Sequence, residues 1–236
     1  MRHDVGVTLP WMGAGTEFLV RLVDALPDDA LRAPSALDGW NRAHVVAHVA
    51  RNAEALIRLA TWARTGVENP MYVDAQQRDA DIEASAQAPA ETLRRELTGT
   101  AADLDAALAA LDDDTWHAQV RSAQGRTIPA VELPWMRVRE VWLHAVDMSS
   151  GAGVDDLPPG VVDVLLDDVT AALSSREGCP AAALTPDDRD RTWPLGSGDD
   201  VVEVRGPAAE VLGWLTGRGG SVTAVGGALP TPRRWI

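Results

Sequence analysis

The sequence predicts an N-terminal four-helix bundle joined to a small C-terminal α+β domain, and three observations carry that expectation. Four long segments before residue 150 place apolar side chains at three- and four-residue steps, the period of a helix that buries one face. After Gly151-Ala152-Gly153 the chain turns to short apolar runs divided by glycine, proline and aspartate, which read as strands and turns. The fourth helical segment interrupts its apolar character with one carboxylate and one imidazole four residues apart, an arrangement that a bundle interior can use. A boundary near residue 155 then divides the chain into residues 1–155 and 156–236.

The first helix is expected from about Thr8 to Leu26, where Trp11, Phe18, Leu19, Leu22, Val23 and Leu26 recur until Pro27 stops them. In the second, Asn41 is a candidate N-cap, Val45, Val49, Ala53, Leu56, Ile57 and Ala60 form the stripe, and Gly66 closes the helix. A connector, Val67 to Tyr72, leads into a short polar helix over Asp74 to Ala86. Pro89 opens the third long helix, whose Leu93, Leu97, Leu104, Leu108 and Leu111 share a face until Asp112-Asp113-Asp114 ends it. The turn-forming stretch Ala123 to Pro129 delivers the chain into the fourth, Trp135 to Asp147. In the second domain Pro158-Pro159 starts a helix over Val161, Val164, Leu165, Leu166 and Val169. Ala181 to Leu184, Arg191 to Leu195, Val201 to Arg205 and Val222 to Val225 read as strands, with a helix from Ala208 to Leu215 behind Gly206-Pro207. No internal repeat or low-complexity tract is visible.

Composition narrows the chemistry. An apolar fraction of 46% in 236 residues is enough for a packed core. No apolar run approaches the ~20 residues that span a bilayer, and no signal-peptide core follows Met1-Arg2-His3-Asp4, so a cytoplasmic protein is expected. The net charge is −14 and all 21 basic residues are Arg, which argues against nucleic acid as a partner and removes Schiff-base and lysine-loop phosphate chemistry. Cys179 is the single cysteine, so there is no internal disulfide and no cysteine-rich zinc site. A metal here needs histidine and carboxylate ligands.

Glu140 and His144 supply two of them. At four residues' spacing they project from one helical face about a turn apart, and Trp135, Val138, Val141, Trp142, Ala145 and Val146 on the other faces enclose the segment. On a solvated face such a pair would be only a weak helix contact, but an enclosed Glu beside a His needs a partner. The second helix offers His44 and His48, of which one is required. His48 lies nearer the apolar stripe, and His44 is read as structural. The set His48, Glu140 and His144 gives two imidazoles and a carboxylate with one position open, a common arrangement for catalytic zinc that non-haem iron also uses. Asp147 is read as a partner of the ligands or as an ordinary helix-end acid, the second being preferred. Cys179, in the loop Glu177-Gly178-Cys179-Pro180, is read as incidental.

Six stretches give the chain a resemblance that spans nearly its whole length: Gly39 to Ala50, Pro70-Met71-Tyr72-Val73, Ala123-Gln124-Gly125-Arg126-Thr127, Trp135 to Asp147, Gly217-Arg218-Gly219 and the closing Pro232-Arg233-Arg234-Trp235-Ile236. In these it resembles the mycothiol-dependent maleylpyruvate isomerases, which belong to the DinB-like helix-bundle metalloproteins. The Gly-Trp and His stretch is shared across the wider superfamily, whereas Gln-Gly-Arg, Trp-Met-Arg and Gly-Arg-Gly are narrower signals. The resemblance implies a zinc ion on His48, Glu140 and His144, and an arginine, Arg218, reaching the site from the C-terminal domain. It implies conversion of maleylpyruvate to fumarylpyruvate in gentisate degradation, with the small thiol mycothiol as cosubstrate.

The residues are consistent with that chemistry. A thiol on zinc ionises near neutral pH, and the thiolate adds to the cis double bond. The adduct rotates about the new single bond and expels the thiolate, leaving the trans isomer, with a guanidinium such as Arg218 stabilising the carboxylate and enolate charge. Two other functions fit the same residues, a mycothiol S-transferase acting on another electrophile and a non-catalytic zinc-binding regulatory protein. No membrane partner is expected, and the expected state is a monomer.

Overall fold

The computed structural model describes residues 1–232 and 235, and divides into two compact units, Met1–Ala152 and Gly153–Ile236. Of the closing stretch that contributes to the resemblance, Arg233, Arg234 and Ile236 lie outside the described residues. No described helix is long and apolar enough to cross a membrane.

The first unit contains α1 (Val5–Ala25), α2 (Arg42–Thr65), α3 (Ala75–Ala86), α4 (Ala90–Ala109), the single turn α5 (Asp113–Trp116), strands β1 (Gln119–Arg121) and β2 (Thr127–Pro129), and α6 (Leu133–Asp147). Helices α1, α2, α4 and α6 are the four long helices of the expected bundle. Helix α1 begins at Val5 rather than near Thr8 because the Asp4 carboxylate accepts from the Gly6 amide at 3.0 Å, satisfying a donor that the helix leaves free. Asn41 caps α2 through a reciprocal pair: its Oδ1 accepts from the His44 amide at 3.1 Å, and its own amide donates to His44 Nδ1 at 3.3 Å. At the other end Gly66 adopts φ 71°, a left-handed conformation that favours glycine.

Helix α2 packs against α3, α4 and α6, and α1 packs along α6. The second pair comes close at Gly15, where a Cβ would stand 2.5 Å from Val141 Cγ2 and 2.6 Å from Trp142 Nε1. That indole donates to the Trp11 carbonyl at 3.0 Å, and Phe18 stacks on its ring at 5.4 Å. Between α2 and α6 runs a polar tie. Arg137, 1% exposed, donates from one Nη1 to the Val49 carbonyl at 2.6 Å and to Asn52 Oδ1 at 3.0 Å. Burial pushes its pKa down to about 10, which leaves it cationic at neutral pH. The narrow Trp-Met-Arg signal thus includes a charged clamp that sets one helix against the other.

The turn-rich stretch before α6 is the loop of an antiparallel hairpin. Val120 lies opposite Ile128, and at the tip Gly125 (φ 79°) donates its amide to the Ser122 carbonyl at 2.9 Å. Strands of three residues are too short for alternation to reveal them.

The second unit contains α7 (Pro159–Ser174), β3 (Ala182–Leu184), β4 (Trp193–Leu195), β5 (Val202–Arg205), α8 (Ala208–Thr216) and β6 (Thr223–Val225). Its sheet runs β4-β3-β5-β6, with β3 parallel to β5 and the other two pairings antiparallel. Helix α7 covers β4 and packs on α8, burying Trp193, whose indole donates to Asp167 at 2.7 Å. This is the expected small α+β domain, its strands shorter by a residue or two at their ends than the apolar runs.

Candidate metal centre

His48 stands on the second turn of α2, and Glu140 and His144 on one face of α6, and the packing of those two helices brings the three together. One donor atom from each lies within 4.8 Å of the others. Glu140 Oε2 is 2.9 Å from His48 Nε2 and 3.2 Å from His144 Nε2, and the two rings meet edge to face at 4.7 Å. The imidazoles are almost covered, with side chains 8% and 11% exposed, whereas Glu140 keeps 25% of its side chain accessible.

The charges follow from the partners. At His144 burial opposes charge, but hydrogen bonds to Asp147 and Glu140 outweigh it and raise the pKa to about 9. His144 therefore carries both ring protons at neutral pH. At His48 burial dominates over the pull of Glu140, and its pKa falls below the ordinary 6.5. Burial alone would raise the Glu140 pKa, yet the bonds from His144 and His48 reverse this and hold the carboxyl well below its ordinary range. Two N–H groups thus aim at one carboxylate oxygen, and the donor set of two imidazoles and a carboxylate suits a borderline divalent ion such as zinc once His144 gives up its Nε2 proton.

Asp147 is not the solvated helix-end acid that the sequence reading preferred. It is 1% exposed, and its Oδ2 accepts from His144 Nδ1 at 2.9 Å, which fixes the ring so that Nε2 faces the cluster. His44 is occupied elsewhere: besides its part in the α2 cap, its Nε2 meets Glu83 at 3.0 Å. Trp40 spans both histidines, its ring 6.1 Å from His44 and 5.5 Å from His48. Sequence reasoning overlooked Arg78, whose Nη2 lies 3.4 Å from His48 Nδ1 and whose guanidinium carbon is 5.8 Å from the centre of the Tyr72 ring. Helix α3, which carries it, buries only Ile82 and Ala86 and gives no stripe from which its inward face could be read.

Arg218 belongs to the second unit. There α8 ends at Gly217, φ 73°, the Arg218 amide donates to the Gly213 carbonyl at 2.8 Å, and its Nη1 donates to the Thr216 carbonyl at 3.2 Å. Gly220 (φ 115°) approaches so closely that a Cβ would lie 2.2 Å from the Glu210 carbonyl oxygen. The Gly-rich run around Arg218 is a formed helix cap rather than a slack loop. Cys179 is half-buried in the second unit.

Comparison with known proteins adds to this geometry. The family model described as the mycothiol maleylpyruvate isomerase N-terminal domain matches residues 12–149, and that described as the MDMPI C-terminal domain matches residues 156–234. A crystal structure of the mycothiol-dependent maleylpyruvate isomerase superposes with a TM-score of 0.94 at 35% identity, over 98% of this chain and 97% of that one. A histidine-to-alanine mutant of that enzyme superposes with a TM-score of 0.93 at the same identity and coverage. No curated protein matches the chain.

Proposed function

The chain belongs to the mycothiol-dependent maleylpyruvate isomerase family, and from that premise we propose that it is a zinc enzyme converting maleylpyruvate to fumarylpyruvate with mycothiol as cosubstrate, acting in the cytoplasm in gentisate degradation. The observation that carries the reading is the convergence of His48, Glu140 and His144, each offering one atom within 4.8 Å of the others, in a chain of this family. These three residues hold the ion. When bound there, zinc supplies a Lewis acid that favours the thiolate form of the cosubstrate near neutral pH.

The chain's own groups do the rest. Asp147 keeps the His144 ring oriented and its Nδ1 protonated, so that Nε2 is the ligand atom. The exposed edge of Glu140 leaves one side of the cluster for small molecules to approach. The thiolate adds to the cis double bond, the adduct rotates about the resulting single bond, and elimination returns the thiol and the trans isomer, with no net redox change. Arg218 is assigned to the carboxylate and enolate charge of the adduct, for which a forked guanidinium suits.

The test is isomerisation of maleylpyruvate by the purified protein, with metal analysis on the same preparation. About one zinc per chain and turnover that requires added mycothiol are expected, with both metal and turnover lost in His48→Ala. Turnover without any thiol, or full zinc content in both His48→Ala and His144→Ala, would refute the assignment.

A further inference from the structure

We propose that a pair of adjoining cavities in the first unit, the larger of them lined by the Arg78 that reaches His48, forms the subsite for the two-ring polyhydroxylated part of the thiol cosubstrate. The inference rests on the reading of mycothiol as cosubstrate, mycothiol being a cysteine thiol carried on an aminosugar linked to inositol.

The larger cavity, about 300 Å³, lies between the last turns of α2, the connector to α3, the start of α3 and the β1–β2 hairpin. Trp62 and Tyr72 line it with aromatic rings, Glu68 and Asp74 with carboxylates, and Arg78 and Arg121 with guanidinium groups. The second, about 250 Å³, shares Pro70, Tyr72 and Val73 with the first and adds Arg58, Gln77 and Asp81. Both walls therefore combine aromatic surface, hydrogen-bond acceptors and donors. Carboxylates and guanidinium groups line the two cavities in equal number, Glu68, Asp74 and Asp81 against Arg58, Arg78 and Arg121, so the walls offer a dicarboxylate no net positive charge, and a purely apolar ligand would strip water from charged groups and return nothing. A neutral ring bearing hydroxyls answers every part of the wall, since each hydroxyl both donates and accepts and the ring's C–H face lies against an aromatic. Two cavities meeting at Tyr72 accommodate two linked rings.

Position supports the same occupant. Arg78 lines the larger cavity and also reaches to 3.4 Å from His48 Nδ1, so one side chain links the cavity wall to one of the three donor residues. A ligand lodged by its rings could extend its thiol arm past Arg78 toward the cluster. Two stretches that the metal cluster leaves unused, Pro70 to Val73 and Ala123 to Thr127, are distant in sequence, and residues of both line this cavity.

Calorimetric titration of the zinc-loaded protein with mycothiol, N-acetylcysteine and the cysteine-free glucosaminyl-inositol tests the assignment. The wild type should bind mycothiol at least ~10-fold more tightly than N-acetylcysteine, the difference coming from the rings. The Glu68→Ala/Arg121→Ala double variant alters exposed side chains, and Tyr72→Phe removes only a hydroxyl. Each should weaken mycothiol binding by roughly 5- to 10-fold, with N-acetylcysteine affinity and zinc content unchanged. Mycothiol affinity unchanged in both variants overturns the subsite, as does an equal loss for N-acetylcysteine. Wild type that binds mycothiol no better than N-acetylcysteine overturns the subsite while leaving a thiol-dependent isomerase standing. Wild type that binds neither thiol overturns both readings.

Discussion

Glu140 serves two imidazoles with one oxygen and favours the charged form of both, yet the rings differ in charge because only His144 is also bonded to Asp147. His144, its pKa raised from 6.5 to about 9, is protonated at neutral pH, whereas His48, its pKa lowered, is neutral. A metal binds only a free lone pair, so zinc held by His144 would have to displace its Nε2 proton. Uptake at about pH 7.5 should release roughly one proton per ion, measurable by calorimetry in buffers of different ionisation enthalpy; heats independent of the buffer would contradict the charge assignment. In the metal-free protein the same group links stability to pH. Its folded pKa lies above the unfolded value, so its contribution is fully present below pH 6.5 and is lost as pH rises through about 9. Asp147 carries much of this effect through its 2.9 Å bond to His144 Nδ1. Asp147→Asn keeps the shape but removes the charge and is expected to weaken zinc binding by about 10- to 100-fold, read by competition with a chromogenic chelator. Unchanged affinity would return Asp147 to a merely structural place.

At the level of elements, the donor cluster depends on where α6 sits, and α6 is held on one side by Arg137 against α2 and on the other by α1 at Gly15. A methyl group at Gly15 would fall 2.5 Å from Val141, the residue after Glu140. Gly15→Ala should therefore displace α6, lowering stability by about 1–3 kcal/mol in denaturant titration and reducing zinc affinity with it. Stability lost with zinc affinity retained would mean that α1 moves instead. How far the sequence disclosed such relations differs from element to element. The stripes of α2 and α4 and the spacing of Glu140 and His144 are local patterns, and the bundle followed from them. Nearness to the stripe also set His48 apart from His44, and it is His48 that stands with Glu140 and His144 in the structure. What could not be read was anything requiring two elements at once: the hydrogen bond from Asp147 back onto the cluster, the hairpin of three-residue strands, and the approach of Arg78 from a helix that is polar nearly all round.

The whole molecule assigns its tasks unevenly. His48, Glu140, His144 and Asp147 all belong to Met1–Ala152, while Arg218 belongs to Gly153–Ile236. If Arg218 neutralises charge on the substrate adduct, Arg218→Ala should cut kcat/KM by a factor on the order of 10² without changing zinc content, and Arg218→Lys should recover little, because an ammonium lacks the guanidinium fork. Near-normal turnover in the alanine variant would reduce Arg218 to a helix-cap residue of α8, and lost zinc would mark it as a support of the ligands. The division of the donors also has a consequence in time. Synthesis runs from the N-terminus at about 5–20 residues per second, and domains fold as units in that order. The first unit closes when α6 packs on α1 and α2, and all of its helices precede residue 153, whereas the second must bring β3 beside β5 across the intervening β4, a pairing that waits for later residues. On the ribosome His48, Glu140 and His144 can thus all be in place while the sheet that follows has yet to be translated.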